Sequence, residues 1–481
     1  MKKTKILLIG AILIATFFLV YSPHLNYKFP IHIDEWHHIA ETTKLGSGEY
    51  QIRGTDGIRT MGFELGFHVL LLPISKIANL VPIYQYFPAI WMMISALTLF
   101  FVVYKKTNKF LIGILAMIFF VSIKTNTNLA GPWFFTPLTF SIPFIFLYLY
   151  LFTEGIEKEK KKFIITSIII MAFLLPIHAI AVLFAAPFLI IYSLFYLDYI
   201  KKEKKFFLAF LLIPIIGIIF YSIMTNTGIL ASIISILKDL QFKRGWGVVE
   251  IHNSFLELYS LIGYALAIFG AIGIFLFQTK PKKFLPYVLL PLTILISIFI
   301  YRITGTSFLS PYQRNMFYLA ISMPILSALG TFYLIELASL KLEISKETSK
   351  KILTIVIIAI IVAFAFLSYF TVPNRFRLYH AIEDEDIPTL EFIKTLPKDS
   401  IIMAPVFIST TLYPVTQRNA VATIFFYGDR SKINEFFKTP DCNRKEEILK
   451  DQNATYVISK NQIPCNWNLI YLDKNLIYQV T

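Results

Sequence analysis

From its start to about residue 372 the chain alternates long apolar runs with short lysine-rich stretches. The runs lie at roughly 6–22, 84–104, 109–124, 132–152, 163–177, 178–198, 206–224, 255–278, 283–301, 314–338 and 351–371. A helix of about 20 apolar residues crosses a hydrocarbon core of roughly 30 Å, so these about eleven runs predict transmembrane helices. A further apolar stretch at 63–80 (FELGFHVLLLPISKIANL) is interrupted by His68, Pro73 and Lys76. Past Val372 the pattern changes. IPTLEFIKTL reads as an amphipathic helix, SIIMAPV as a buried strand, TYVIS as another strand, and KINEFF and RKEEILKD as further helices. The expected fold class is mainly α: a polytopic membrane protein with interfacial helices and a small C-terminal α/β extracytoplasmic domain. Its expected parts are a membrane domain at 1–373, carrying an external loop at 23–83, and the small domain at 374–481.

Composition supports this. Of 481 residues, 56% are hydrophobic, and the mean hydropathy of +0.65 lies outside the range of soluble globular chains. The formal charge of +15 does not indicate nucleic acid, because the lysines cluster in short loops between apolar runs, as cytoplasmic loops do. That bias also decides the status of 63–80. With the N-terminus inside and 63–80 not crossing, Lys105/Lys106/Lys109, Lys158–Lys162, Lys201–Lys205, Lys280/Lys282/Lys283 and Lys341–Lys351 all fall in the cytoplasm. A crossing at 63–80 would turn every one of them outward. The segment is therefore expected at the external interface, and the C-terminal domain outside the cell membrane. The first run, after Lys2, Lys3 and Lys5, is followed by Tyr21-Ser22-Pro23-His24 where a signal peptide would carry a small-residue cleavage site, so it is read as an uncleaved span. Cys442 and Cys465 are the two cysteines. An external location permits a disulfide, and two lone thiols are the plainer reading.

The densest cluster of chemistry-bearing side chains is HIDEWHHIAE, residues 32–41, just outside the first span. Adjacent carboxylates at Asp34 and Glu35 repel, and partial burial would raise their pKa values. One reading is a solvated loop start in which Asp34 caps a short helix. The other is a reactive site. His37 and His38 point about 100° apart on a helix, so Asp34 with His38 makes the better pair at i,i+4. The spacing matches no zinc pattern, which leaves a divalent cation bridging Asp34 or Glu35 to a phosphate as the metal option, with His37 and His38 as acceptor or metal contacts. Downstream, Asn453-Ala454-Thr455 forms a glycosylation sequon.

The order of these pieces resembles the GT-C glycosyltransferases, multispan enzymes that use polyprenyl-phosphate-linked sugars. The family includes protein O-mannosyltransferases, lipid A aminoarabinose transferases and oligosaccharyltransferase catalytic subunits. The likeness rests on a first span, an external loop opening with Asp34-Glu35, and an interfacial segment GFHVLLLPISKI at 66–77. A span entered through YQYFPAIW at 84–91, a late arginine-initiated helix in SPYQRNMFYLAISMPILSALG at 310–330, and a tail with LPKDSIIMAP and NATYVIS complete it. The resemblance implies an inverting transfer in which Asp34 acts as base on an acceptor hydroxyl or amine. The acceptor would be a glycan, lipid or protein. It also implies cations for the lipid phosphate, with Arg59, Arg302 and Arg314 as external candidates and Lys243 and Arg244 behind them. Metal-dependent members carry a second acidic motif in the next external loop. Here that loop, KTNTNLAG, has no acid, with Glu250 or Glu257 as substitutes, so the expectation leans to the metal-independent branch.

Two rival readings belong to other classes. A transporter or flippase of a lipid or small solute would place ionisable groups or broken helices at mid-membrane. These spans are almost free of internal charge, and no internal repeat is visible. The third reading is a noncatalytic membrane assembly protein whose C-terminal domain binds partners.

Overall fold

The computed structural model describes residues 3–48, 64–126, 129, 131–208, 215, 218–219, 222–223, 228–243, 254–342, 347–370, 380–424 and 428–480. By its internal contacts the chain forms two compact units. The first comprises Met1–Val20, Pro88–Trp133 and Pro137–Pro373, and the second comprises Tyr21–Phe87, Phe134–Thr136 and Asn374–Thr481.

Helices make up the first unit: α1 (Lys3–Tyr21), then α4 (Phe87–Thr107), α5 (Phe110–Val121), α6 (Pro137–Glu157) and α7 (Lys161–His178). After the short helices around 180–202 come α8 (Ile229–Asp239), α9 (Leu261–Phe277), α10 (Leu285–Thr304), α11 (Tyr312–Lys341) and α12 (Glu347–Phe370). Seven helices among the described residues are long and apolar enough to cross a membrane: Lys3–His24, Leu80–Thr107, Pro137–Glu157, Lys161–His178, Pro281–Thr304, Tyr312–Lys341 and Glu347–Phe366. Phe110–Val121, Ile180–Leu194 and Leu261–Phe277 are apolar but shorter. The expected span at 206–224 lies mostly outside the described residues. These helices satisfy their own backbone groups, which is what lipid demands of any segment that crosses it.

The most buried of the seven, α11, packs against α5, α9 and α10. Its contact with α9 is made by glycines. A Cβ on Gly330 would stand 2.0 Å from the Leu266 carbonyl oxygen, and one on Gly270 would stand 2.1 Å from that of Leu326. Close backbone approach through small residues is how helices pack without an aqueous driving force. Ser327 bridges the crossing, its hydroxyl 2.9 Å from the Gly263 carbonyl and 2.9 Å from the Tyr259 hydroxyl.

Polar contacts group the loops of this unit. Lys106 Nζ reaches Glu154 Oε1 and Glu157 Oε2, each at 2.5 Å. Lys161 pairs with Glu203 at 2.6 Å, and Lys202 with Glu159 at 3.1 Å. The Lys124 N–H donates to the Leu258 carbonyl at 2.7 Å, and Asn126 Nδ2 to Glu257 Oε2 at 2.8 Å. The strands β1 (Gln241–Lys243) and β2 (Thr306–Phe308) pair antiparallel. The lysine-rich loops near 106, 158 and 202 are thus tied to acidic groups of one another's neighbourhoods, the loops near 125 and 257 are joined by hydrogen bonds, and those near 242 and 307 by strand pairing.

In the second unit the first polar stretch folds with the C-terminal tail. Its helices α2 (Ile33–Ser47) and α3 (Leu65–Ile77) pack on each other, and α2 also packs on α14 (Val406–Thr416). The Tyr27 hydroxyl donates to the Ile382 carbonyl at 2.8 Å, and Lys28 pairs with Asp384 at 2.7 Å. With 13 residues, α3 is about 20 Å long, too short to span a bilayer core. The tail adds α13 (Ile387–Ile393), α15 (Arg430–Lys438) and α16 (Cys442–Asp451) around a five-stranded sheet. The strands are β3 (Ile401–Met403), β4 (Asn419–Ala420), β5 (Tyr456–Ser459), β6 (Asn468–Leu472) and β7 (Leu476–Gln479), in the order β4-β3-β5-β7-β6. β4, β3 and β5 run parallel, and β7 and β6 join antiparallel. Met403, Val457, Phe436, Ile448 and Leu449 form the core between this sheet and its helices. Cys442 and Cys465 are joined by a disulfide, which corrects the plainer reading of two lone thiols.

Candidate active site

The start of α2 is organised by its first acidic pair, and the two carboxylates are used differently. His32 is the N-cap residue, its Nδ1 accepting the Asp34 backbone N–H at 3.2 Å. Glu35 closes a capping box: its Oε2 accepts the backbone N–H groups of Ile31 at 3.0 Å and His32 at 3.1 Å. Its Oε1 accepts the Phe135 N–H at 2.8 Å, so one buried carboxylate holds the helix start to the 134–136 segment. The capping reading of Asp34 is thereby corrected. Asp34 sits inside the first turn, where its side chain remains 29% exposed. A carboxylate there faces the positive end of the helix dipole.

Burial, opposed by the Phe135, His32 and Ile31 N–H donors and reinforced by the Asp34 charge, pushes the Glu35 carboxyl up to about 8. The sequence argument named both repulsion within the pair and partial burial as causes of such a rise. Burial is the larger cause.

Beyond the cap, α2 stays buried from Glu35 through Thr42, because α3 and α14 cover it. His38 Nδ1 and His68 Nε2 of α3 share a hydrogen bond of 3.1 Å. The His37 ring lies 5.6 Å from that of His38 and 6.5 Å from that of His68. Burial pushes His68 down to about 3, and burial, with the nearby His68 and Lys44, holds His37 well below the usual histidine range. His68 was not among the expected site residues. Its signal was a lone histidine inside an apolar helix.

Glu35, His38 and His68 are already engaged within this cluster, which leaves Asp34 as its partly exposed carboxylate. Glu35 spends its oxygens on three backbone N–H groups, and His38 and His68 bond to each other. Among the described residues no cluster of three or more histidine, cysteine or acidic side chains is placed to ligate a divalent cation. Glu257 also has its carboxylate engaged, by the Ser254 N–H at 3.0 Å and by Asn126. Glu250 lies outside the described residues.

Of the expected phosphate-binding arginines, Arg302 and Arg314 belong to the first unit, and Arg59 lies outside the described residues, as does Arg244. Arg302, in the last turn of α10, donates through Nε and Nη2 to the Tyr312 hydroxyl at 3.1 and 2.9 Å. Its guanidinium lies 4.6 Å from the centre of the Phe255 ring. Arg314 stands in the first turn of α11, partly exposed, and among the described residues no hydrogen bond or ion pair engages it.

No protein-family model matches the sequence, and no curated protein matches it. Solved structures do match. The apo oligosaccharyltransferase of Archaeoglobus fulgidus superposes with a TM-score of 0.62 at 10% identity, over 95% of this chain and 70% of its own. The AglB oligosaccharyltransferase of that organism, in complex with an inhibitory peptide and a dolichol-phosphate, gives 0.58 at 11% identity over 95% and 69%. Apo ArnT from Cupriavidus metallidurans gives 0.56 at 10% identity over 98% and 97%.

The chain has the fold of these oligosaccharyltransferases and of ArnT, as the resemblance to the GT-C glycosyltransferases implies. The ArnT match runs along nearly the whole of both chains, so the GT-C likeness includes the tail as well as the helices. At such identities the likeness concerns the fold, and the roles of individual GT-C residues have to be argued from this chain's own geometry.

Proposed function

We propose that the protein transfers a sugar from a polyprenyl-phosphate-linked donor to a glycan, lipid or protein acceptor on the extracytoplasmic side of the membrane. The observation that carries this reading is the division of labour at the start of α2. Glu35 is locked into the backbone, and Asp34 beside it keeps a partly exposed carboxylate. A base needs hydrogen-bond reach and freedom to move a proton, and Asp34 is the member of the pair that has them. The GT-C fold supports the choice of donor class.

In the proposed reaction Asp34 takes the proton from the acceptor hydroxyl or amine as that atom attacks the anomeric carbon. The new bond forms opposite the phosphate, and the glycosyl–phosphate bond breaks with its electrons passing to the phosphate oxygen. The developing charge calls for a cation, and Arg314 is one of the arginines that the sequence offers for it. Arg302 and Arg59 are the further candidates. No step runs through a metal. Two observations support an external site. The lysine loops segregate as cytoplasmic loops do, and Cys442 is oxidised with Cys465, as in oxidising compartments.

The test uses proteoliposomes and a panel of radiolabelled polyprenyl-phosphate monosaccharides, with release of the sugar to water or acceptor as readout. Asp34→Asn is expected to lower turnover by about 10²- to 10⁴-fold while the thermal midpoint stays near that of the wild type. Undiminished turnover in that variant would overturn the base assignment. Movement of donor across the bilayer with no released sugar would favour the transporter.

A further inference from the structure

The helix α8 is amphipathic in the reverse sense to a helix of a water-soluble fold. Leu230, Ile234 and Leu237 recur at helical spacing and stand outward, with Leu230 71% and Leu237 61% exposed. The opposite side carries Ser232, Ser235 and Asp239 beside Ile236. Ser232 is fully buried and the other three are half-buried. In water the hydrophobic effect would favour the opposite arrangement, with the apolar stripe inward and the hydroxyls outward.

The place of α8 in the fold says what lies outside it. The chain passes from α8 into β1, which pairs with β2, Gln241 opposite Phe308 and Lys243 opposite Thr306. The Leu309 N–H donates to the Leu240 carbonyl at 2.9 Å and closes the same link at the end of α8. β2 occupies the short turn between α10 and α11, two helices long and apolar enough to cross a membrane. A segment held to that turn lies at the level where both spans leave the hydrocarbon core. The outward side of α10 (Ile296, Phe299, Ile300 and Ile303) reaches the same level, and Ile303 in its last turn is 81% exposed. With 11 residues, α8 is about 16 Å long and too short to cross. Lys238 and Lys243 follow its stripe, and both are exposed.

We propose that α8 is an interfacial anchor. Its face of Leu230, Ile234 and Leu237 lies in the boundary between headgroups and acyl chains of the bilayer that α10 and α11 cross. Lys238 and Lys243 then extend their apolar stems along that boundary and carry their ammonium groups to the lipid phosphates. The occupant of the stripe is the lipid surface, because lipid already bathes the outward side of α10 and the β1–β2 ladder holds α8 beside the end of that helix. An anchored α8 also keeps Lys243, one of the cations available to a lipid phosphate, at headgroup depth. The contact with lipid does not depend on Asp34 or on any transfer reaction.

The test uses the full chain in vesicles of phosphatidylcholine and phosphatidylglycerol, with the Cys442–Cys465 disulfide left oxidised so that it takes no label. Nitroxides are attached one at a time through Leu230→Cys, Ile234→Cys and Leu237→Cys. Ile300→Cys serves as the lipid-facing reference and Lys398→Cys as the aqueous one. Oxygen concentrates in hydrocarbon, so its collisions should exceed those of a water-soluble nickel chelate at all three α8 positions, as at Ile300→Cys. The labels should lie about 5–10 Å into the boundary region. Nickel collisions equal to those at Lys398→Cys would put the stripe in water and overturn the proposal. Low collision with both reagents would overturn it in favour of a protein cover. Spin–spin broadening that fades on dilution with unlabelled protein would identify that cover as a second copy of the chain. A second measurement needs no substitution. Wild-type protein in the same vesicles is irradiated with a phosphatidylcholine that carries a diazirine near the top of its acyl chain. Adducts are expected on residues 229–237 as well as on 296–303, and adducts on 296–303 alone would sink the anchor.

Discussion

Glu35 couples the site to pH through its burial. Its carboxyl is held up at about 8 against an ordinary value of 4.5. Between those values the folded protein keeps a proton that the unfolded chain has released, so stability is full below about 4.5 and is lost as pH rises toward 8. One proton of difference corresponds to a slope of at most about 1.4 kcal/mol per pH unit. His68 acts in the opposite direction. It stays neutral in the fold down to about 3, so its contribution is full above 6.5 and is lost as pH falls. Thermal unfolding scans from pH 4 to 9 should therefore show a declining limb on the alkaline side, and Glu35→Gln should flatten it. That variant should also lose about 1–3 kcal/mol, since an amide cannot accept at both ends of the site and one backbone N–H is left unpaired. An unflattened limb would show that some other group sets it. The acid pair itself was legible in the sequence, because two carboxylates in a dense polar cluster follow an apolar run. The inequality between them was not. It depends on the Phe135 N–H, which arrives from 100 positions downstream.

At the scale of elements, the α9–α11 crossing is the most sensitive packing in the helical unit. Gly270 and Gly330 let backbone meet backbone, and neither obstructing atom belongs to a flexible side chain. Gly330→Val or Gly270→Val should force the helices apart. The cost should be about 1–3 kcal/mol or more, read as a lower thermal midpoint in detergent with little effect on a neighbouring lipid-facing substitution such as Ile268→Val. The helices themselves were readable as apolar runs. Their partners were not, since glycine spacing within an apolar run does not say which helix comes close. In the tail, periodicity placed IPTLEFIKTL, SIIMAPV, TYVIS, KINEFF and RKEEILKD on elements of the expected type. It missed β4, β6 and β7, of which β7 pairs with β5 and β6 joins the sheet only through β7. Charge parity led to the expectation that 63–80 does not cross, and the structure gives α3 13 residues, whereas the pairing of His68 with His38 on α2 had no sequence signal.

For the whole molecule the open matter is which face of the membrane carries the C-terminal tail, and the disulfide gives the means to decide it. Cys442 and Cys465 are separated by 23 positions. Closing a loop of that length restricts the unfolded chain by about 3 kcal/mol in the chain-entropy account. Cys442→Ser should lower the stability of the second unit by about that amount, and reductant should do the same to the wild type. The same pair reports sidedness, because these are the two cysteines of the chain. Intact cells treated with a membrane-impermeant maleimide should show no labelling of the oxidised wild type. After brief treatment with an impermeant reductant they should label at both positions, and Cys442→Ser should label at Cys465 without reduction. Labelling only after permeabilisation would put the tail in the cytoplasm. That result would reverse the parity argument from the lysine loops and carry Asp34, which folds in the same unit as the tail, away from the face on which the proposed chemistry depends.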